Sequence, residues 1–461
     1  MQMNRGAPCY GLRFNGHPAH FRGALSNLSI RLFDVSPYHL AIEDGNQRSR
    51  SVLTTPALAP ADTGDAPIMW MISHAPGNPV LRFTFTACAW HFIRKYLRLL
   101  PGMTSPVFDA VCRQWRSRLD LSHDYSVIRN DARFRASFSD SFVFESEYMQ
   151  VLGLCERLMN EYEGVALEEA LPGEVVCSED GDCYRLTGSV PMEFPETDRL
   201  RIMNAIMQDL TLVYGVGKKT ESLLKKRGTR TIGDLVHHKR FGRSAAECLD
   251  ALSCDHPETI ARLISRWHSP SHPLAMLLAG MYEKEDLVFL DLETLGFFSR
   301  PIILFGVAEV NSSGLQVSQY LVRDICEEPA ALEVLKSHLG EDRVLVTYNG
   351  KSFDVPYLAE RYAFYGNGFP VKNPHYDLLH FSRRWWKDAF PDCKLQTLEQ
   401  RLFEISRQDD VPGAMIPEFY GYYQRSGNPG PLVPIVTHNR QDLVSLARLF
   451  CLLKGMCHDC C

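Results

Sequence analysis

The sequence predicts an α/β protein: a mixed sheet flanked by helices at the carboxy-terminal end, preceded by a small helical module and an α+β amino-terminal region. Three observations carry this. From residue 287 onward, short apolar runs alternate with segments of helical periodicity. Between about 203 and 236 the text breaks into short helical stretches interrupted by glycines. Before that, strand-type residues flank Asp180-Gly181, a hairpin turn signal. A chain of 461 residues exceeds one ordinary core. The expected division is an amino-terminal region 1–200 with no assigned role, a module over 201–270 and an α/β domain over 285–454.

The elements follow in order. Residues 54–67, rich in Pro, Ala, Thr and Gly, read as a loop, and 80–100 as a strand running into a helix. Residues 145–163 carry helical spacing, and 174–187 form the hairpin, with Cys177 and Cys183 expected to face each other across it. In the last domain, 287–292, 302–310, 315–322 and 344–348 are strand-like. Residues 329–339, 352–364 and 435–453 are helix-like.

Composition narrows the function. With 45% hydrophobic and 23% charged residues the chain is of the soluble globular class. A net charge of −6 excludes a basic nucleic-acid coat, so any such contact must come from local patches. No apolar run approaches the roughly 18 residues of a membrane span, and the first residues lack the apolar core of a signal peptide. A cytoplasmic location is therefore expected. The 14 cysteines are scattered and read as small buried hydrophobes. Cys457 and Cys460 form a lone C-x-x-C without the second ligand pair that a structural zinc needs, so no zinc is expected there.

The chemistry concentrates in acids. Asp291 and Glu293 stand two apart at the end of an apolar strand, and period two turns both carboxylates to one side. A hard divalent cation, Mg²⁺ or Mn²⁺, relieves their repulsion. Asp354 follows a second apolar strand through the loop 348–353, and in an α/β sheet sites gather at strand ends. Asp442 lies on the last long helix with His438 one turn before it, on the same face. Singly each has an ordinary explanation. Asp354 could cap a helix, and Asp442 could simply pair with His438.

The text joining these residues is more specific. LDLETLG (290–296), VTYNGKSFDVPYLAER (346–361), HYDLLH (375–380), LQTLEQRLF (395–403), RQDDVPGAMIP (407–417) and THNRQDLVSL (437–446) occur in order. With them, residues 287–453 resemble the ribonuclease-H-like exonuclease domain of the YprB-like family, within the DEDD superfamily. The resemblance implies a five-stranded mixed sheet and two divalent cations held by Asp291, Glu293, Asp354 and Asp442. It also implies hydrolysis of DNA or RNA from a 3′ end, with His438 as the base. Three residues separate His438 from Asp442, where histidine-type DEDD branches have four, so the orientation of the ring is left to the tertiary structure. The competing reading is a non-catalytic nucleic-acid-binding protein or scaffold that retains the fold.

The loop Tyr348-Asn349-Gly350-Lys351-Ser352 is not a Walker loop, because Leu345 stands where the first glycine is needed. Asn349 and Lys351 are candidate phosphate contacts, with Lys351 alternatively a solvated charge. Asp377 reads either as outer support for the metal shell or as a helix cap. FSRRWW (381–386) reads as a single-strand stacking surface or as core.

Residues 210–236 resemble a helix-hairpin-helix motif. Gly215 and Gly217 would let the backbone approach a phosphate, and the helix starting near Lys218 and Lys219 would aim its N–H groups at it. From 218 to 243 there are nine Lys and Arg against Glu221 and Asp234, a local charge of +7. Nucleic acid, held without sequence preference, is the expected partner. A solvated helical linker is the alternative.

Overall fold

A computed structural model describes residues 145–460 apart from 197, 255, 297–299 and 370–372; before them it gives only the backbone of six short strands between 28 and 144. The loop 54–67 lies outside the described residues. So does the helix expected to follow the strand Asn78–Thr84.

Helix α1 (Glu145–Glu161) buries Val151, Leu154 and Cys155, a stripe at helical spacing. The hairpin follows as β1 (Glu174–Ser178) and β2 (Gly181–Val190), turning at Gly181 with φ of 120°, a conformation that favours glycine. Its register corrects the cysteine expectation. Cys183 pairs with Val176 and Cys177 with Asp182, so the two sulfurs sit on opposite faces, Cys183 buried and Cys177 exposed.

The helical module contains α2 (Arg199–Gln208), a 3₁₀ turn at Leu210–Leu212, α3 (Lys218–Lys226), α4 (Gly242–Ser253), α5 (Pro257–Ser265) and α6 (Pro273–Leu278). Between α3 and α4 a short turn of helix is closed by a capping box of Thr231 and Asp234. Pro257 and Pro273 open their helices at the position that needs no N–H.

Then come β3 (Leu287–Thr294), β4 (Ile302–Asn311), β5 (Gly314–Leu321), α7 (Glu328–Lys336), β6 (Val344–Thr347), α8 (Asp354–Phe364), β7 (His375–Asp377), α9 (Leu378–Trp386), α10 (Leu395–Phe403), α11 (Ile416–Ser426) and α12 (Leu432–Cys460). The sheet order is β7-β6-β3-β4-β5-β2-β1. Strands β3, β6 and β7 run parallel, and the rest pair antiparallel. The five strands expected of this domain are present, and the upstream hairpin adds two more by pairing β2 with the edge of β5.

Both faces of the sheet are covered. Alternation along β3 sends Phe289 toward α12, where it meets Phe450 edge-on at 5.8 Å, and Val288 and Leu290 toward α7 and α8. Asp291 and Glu293 share the parity of Phe289, so the pleat aims them toward α12. On the other face a buried Glu328–Arg361 pair (2.5 Å) ties α7 to α8, and Glu328 also accepts the Ile302 amide. That anchors the helix that carries Asp354. Phe381 and Trp386 are buried, so the aromatic run of α9 is core rather than a stacking surface. Among the described residues, no helix is long and apolar enough to cross a membrane.

Candidate metal centre

Four carboxylates from three elements converge at the ends of β3 and β6. Asp291 and Glu293 come from β3, Asp354 opens α8, and Asp442 lies on α12. Glu293 is 8% exposed and Asp354 5%. Their electrostatics show them to be one group. Burial, then Asp442, Glu293 and Asp354, hold the Asp291 carboxyl well above the usual range. Burial and the charges of Asp442 and Asp354 push Glu293 up to about 8 despite the opposing pull of His438. Burial, with Asp377 and Asp442, lifts Asp354 to about 7 against backbone amides of Asp354 and Leu292. No three of these acids bring ligand atoms within 4.8 Å of one another.

The side of the site formed by α12 is held by residues the sequence did not disclose. Asn439 is fully buried, and its Nδ2 donates to Asp291 Oδ2 at 2.7 Å. Its Oδ1 accepts from Gln319 Nε2 at 2.8 Å. This works only because Gly306, directly opposite Asp291 on β4, has no side chain; a Cβ there would overlap the Asn439 carboxamide. Gly306→Ala is therefore expected to expel Asn439, cost about 1–3 kcal/mol of stability and lower any cleavage about 10–100-fold. Adding Asn439→Ala to Gly306→Ala should restore the melting temperature but not the cleavage. Restoration of both, in paired melting and activity assays, would show that Asn439 has no positioning role.

His438 faces the acids from α12. Its Nδ1 donates to Asp410 at 2.6 Å, and its Nε2 lies 3.7 Å from Asp442. Burial opposes a charged ring, but Asp442, the Asp410 hydrogen bond and Glu293 outweigh it and raise the pKa to about 9. The surrounding carboxylates thus favour the charged ring. Arg407 joins the cluster: it forms a two-pronged pair with Glu399 (both contacts 2.7 Å) and also bonds to Asp442. Arg407, Asp410 and Glu399 lie in segments quoted for their resemblance, yet no spacing rule singles them out. Asn439 is simply the neighbour of His438.

The loop before α8 is fixed by Asp377, which resolves that residue's two readings. It accepts from the Asn349 amide (2.8 Å), the Lys351 amide (3.1 Å) and, as the cap of α9, the Leu379 amide (3.2 Å). Asn349 takes a left-handed φ of 64°, and the side chains of Asn349 and Lys351 are exposed beside the site. Gly350 is packed against Thr347, leaving no room for a Cβ. In the module, Gly215 has φ of 83° and Gly217 caps α3 without a side-chain bond. Lys218 and Lys219 are exposed at the α3 amino terminus, and all nine Lys and Arg of 218–243 are exposed.

Comparison with known proteins agrees with this architecture. A family model described as RNase_H superfamily matches residues 288–454. A Bacillus subtilis (strain 168) protein designated "Uncharacterized protein YprB" is 33% identical over 199 residues, which is 41% of this chain and 47% of that protein. The chain thus spans about half the length of the curated relative it matches.

Proposed function

We propose, from the premise that residues 288–454 form a YprB-like domain of the ribonuclease H superfamily, that this chain is a 3′–5′ exonuclease acting on DNA or RNA. The observation that carries the reading is the mutual repulsion of Asp291, Glu293, Asp354 and Asp442, a buried negative cluster suited to hard cations. Those four side chains would hold two ions, Mg²⁺ or Mn²⁺. When bound, the ions supply positive charge that activates an attacking water and stabilises the leaving oxygen.

The chain's own residues do the rest. Asp410 fixes the ring of His438 through Nδ1, which leaves Nε2 on the side of Asp442 to accept the proton of the water. Neutralising the surrounding carboxylates removes the field that keeps the ring charged, and this is the condition for it to act as a base. Arg407, gripped by Glu399, holds Asp442 in place. Exposed Asn349 and Lys351 receive a phosphate beside the acids. Gly215, Gly217, Lys218 and Lys219 hold the strand's backbone by the helix-hairpin-helix mode, without reading bases.

The test is a cleavage panel: purified chain, DNA and RNA labelled at the 5′ end, and Mg²⁺, Mn²⁺ or chelator. The expected result is a ladder of products shortened stepwise from the 3′ end, absent with chelator. Internal cuts would refute the exonuclease assignment, and an inert protein that still binds the strands would favour the non-catalytic reading.

A further inference from the structure

A second cluster of metal-type ligands lies in the helical module, apart from the carboxylates. Asp209 stands at the junction of α2 and the following 3₁₀ turn, His268 just after α5, and His272 at the amino-terminal cap of α6. Asp209 lies 59 residues before His268 and 63 before His272, yet one ligand atom of each falls within 4.8 Å of the other two. His268 Nε2 lies 2.8 Å from Asp209 Oδ2. The two imidazoles are stacked, with centroids 3.8 Å apart and planes within 12°. That stacking brings both rings to one place, and two imidazolium rings in face contact would repel.

The polar atoms are already sorted. Asp209 Oδ1 is engaged by the Thr211 amide (3.0 Å) and hydroxyl (2.5 Å), which leaves Oδ2 toward His268. His272 Nδ1 accepts the Leu274 amide at 3.3 Å, so the neutral ring carries its proton on Nε2, and ligation through Nε2 would exchange this long cap bond for the metal by a change of tautomer. Two imidazoles and a carboxylate are a borderline donor set that suits Zn²⁺, unlike the all-oxygen set at the sheet. Tetrahedral ligand atoms on zinc lie roughly 3.3 Å apart with their lone pairs converging, so one of the two rings would turn out of the stack to close the set.

We propose that Asp209, His268 and His272 bind a zinc ion that staples the α5–α6 connection to the end of α2. The charges of Lys218, at the start of α3, and Arg384, on α9, both reach His272, so the site lies close to the basic hairpin and to the nuclease domain. The connection also carries exposed Trp267, which packs on exposed Tyr214 of the hairpin at 5.9 Å. Fixing His268 and His272 therefore fixes the outer face of the hairpin loop.

The test uses the full chain carrying Asp291→Asn, so that the carboxylate centre does not mask the count. After metal removal, zinc is added back and excess is stripped on a chelating resin. One zinc per chain is expected to remain, and His268→Gln with His272→Gln should reduce it to background. X-ray absorption of the zinc-loaded parent should show two imidazoles and oxygen in its first shell, a readout that does not depend on how the variants fold. Zinc that is not retained by the parent, zinc retained equally by the histidine variants, or a shell of sulfur would each overturn the site.

Discussion

Replacing Asp291 by asparagine is expected to abolish cation-dependent cleavage while making the cation-free protein more stable. The two effects share one cause. The carboxyl of Asp291 is held far above its normal range by burial and by three neighbouring acids, so its charge is unfavourable in the fold. Asparagine keeps the size and can still accept from Asn439, which now donates at 2.7 Å. Losing the charge should raise the unfolding free energy by about 1–2 kcal/mol. Losing one of the central ligands should lower the rate about a thousand-fold, equivalent to about 4 kcal/mol of transition-state stabilisation. The measurements are a denaturant titration in chelator and a cleavage time course. A variant that is both inactive and destabilised would mean that Asp291 is a structural acid satisfied by its surroundings, contrary to the proposal.

Raising the pH from 6 to 9 is expected to destabilise the cation-free protein and to enlarge the stabilisation given by Mn²⁺ or Mg²⁺. Glu293 (about 8) and Asp354 (about 7) bind protons more tightly in the folded state than unfolded carboxylates near 4. The folded state therefore holds more protons over this window, and its stability falls as pH rises. His438 acts in the same direction: its folded value of about 9 exceeds the unfolded value near 6.5, so its contribution is full below 6.5 and lost through 9. Together these amount to a loss on the order of a few kcal/mol. Cations compete with the same protons, so their affinity climbs as the acids ionise. Melting curves with and without Mn²⁺ at several pH values provide the check. A cation-induced shift in melting temperature that stays flat from pH 6 to 9 would show that these acids are not the ligands.

The parts of the site legible in sequence are those fixed by local periodicity. Asp291 and Glu293 share a face because a strand repeats every two residues, and His438 and Asp442 because a helix nearly repeats every four. The contact between Asn439 and Gly306 is of another kind. It depends on β4 pairing with β3 in one register and on α12 crossing above that pair, which no local pattern encodes. Arg407 reaches Asp442 across 35 residues, and Asp410 reaches His438 across 28. Strand β7 has three residues, too few to show a period, and is set by its parallel partner β6. The hairpin was legible as a hairpin, but nothing in its alternation says which sheet it joins.

That last point bears on how the protein can be divided. Strand β5 would be the outer strand of the ribonuclease-H-like sheet were it not covered along Leu315–Leu321 by residues 184–190. A fragment cut at residue 201 or 285 would leave this row of amides and carbonyls unpaired beside buried Leu315, Val317 and Tyr320. Such an edge recruits further chains, and the product would be a sticky template rather than a smaller stable domain. A fragment meant to test the proposed cleavage should begin upstream of α1, and a loss of cleavage on shorter truncation would report aggregation before it reported chemistry.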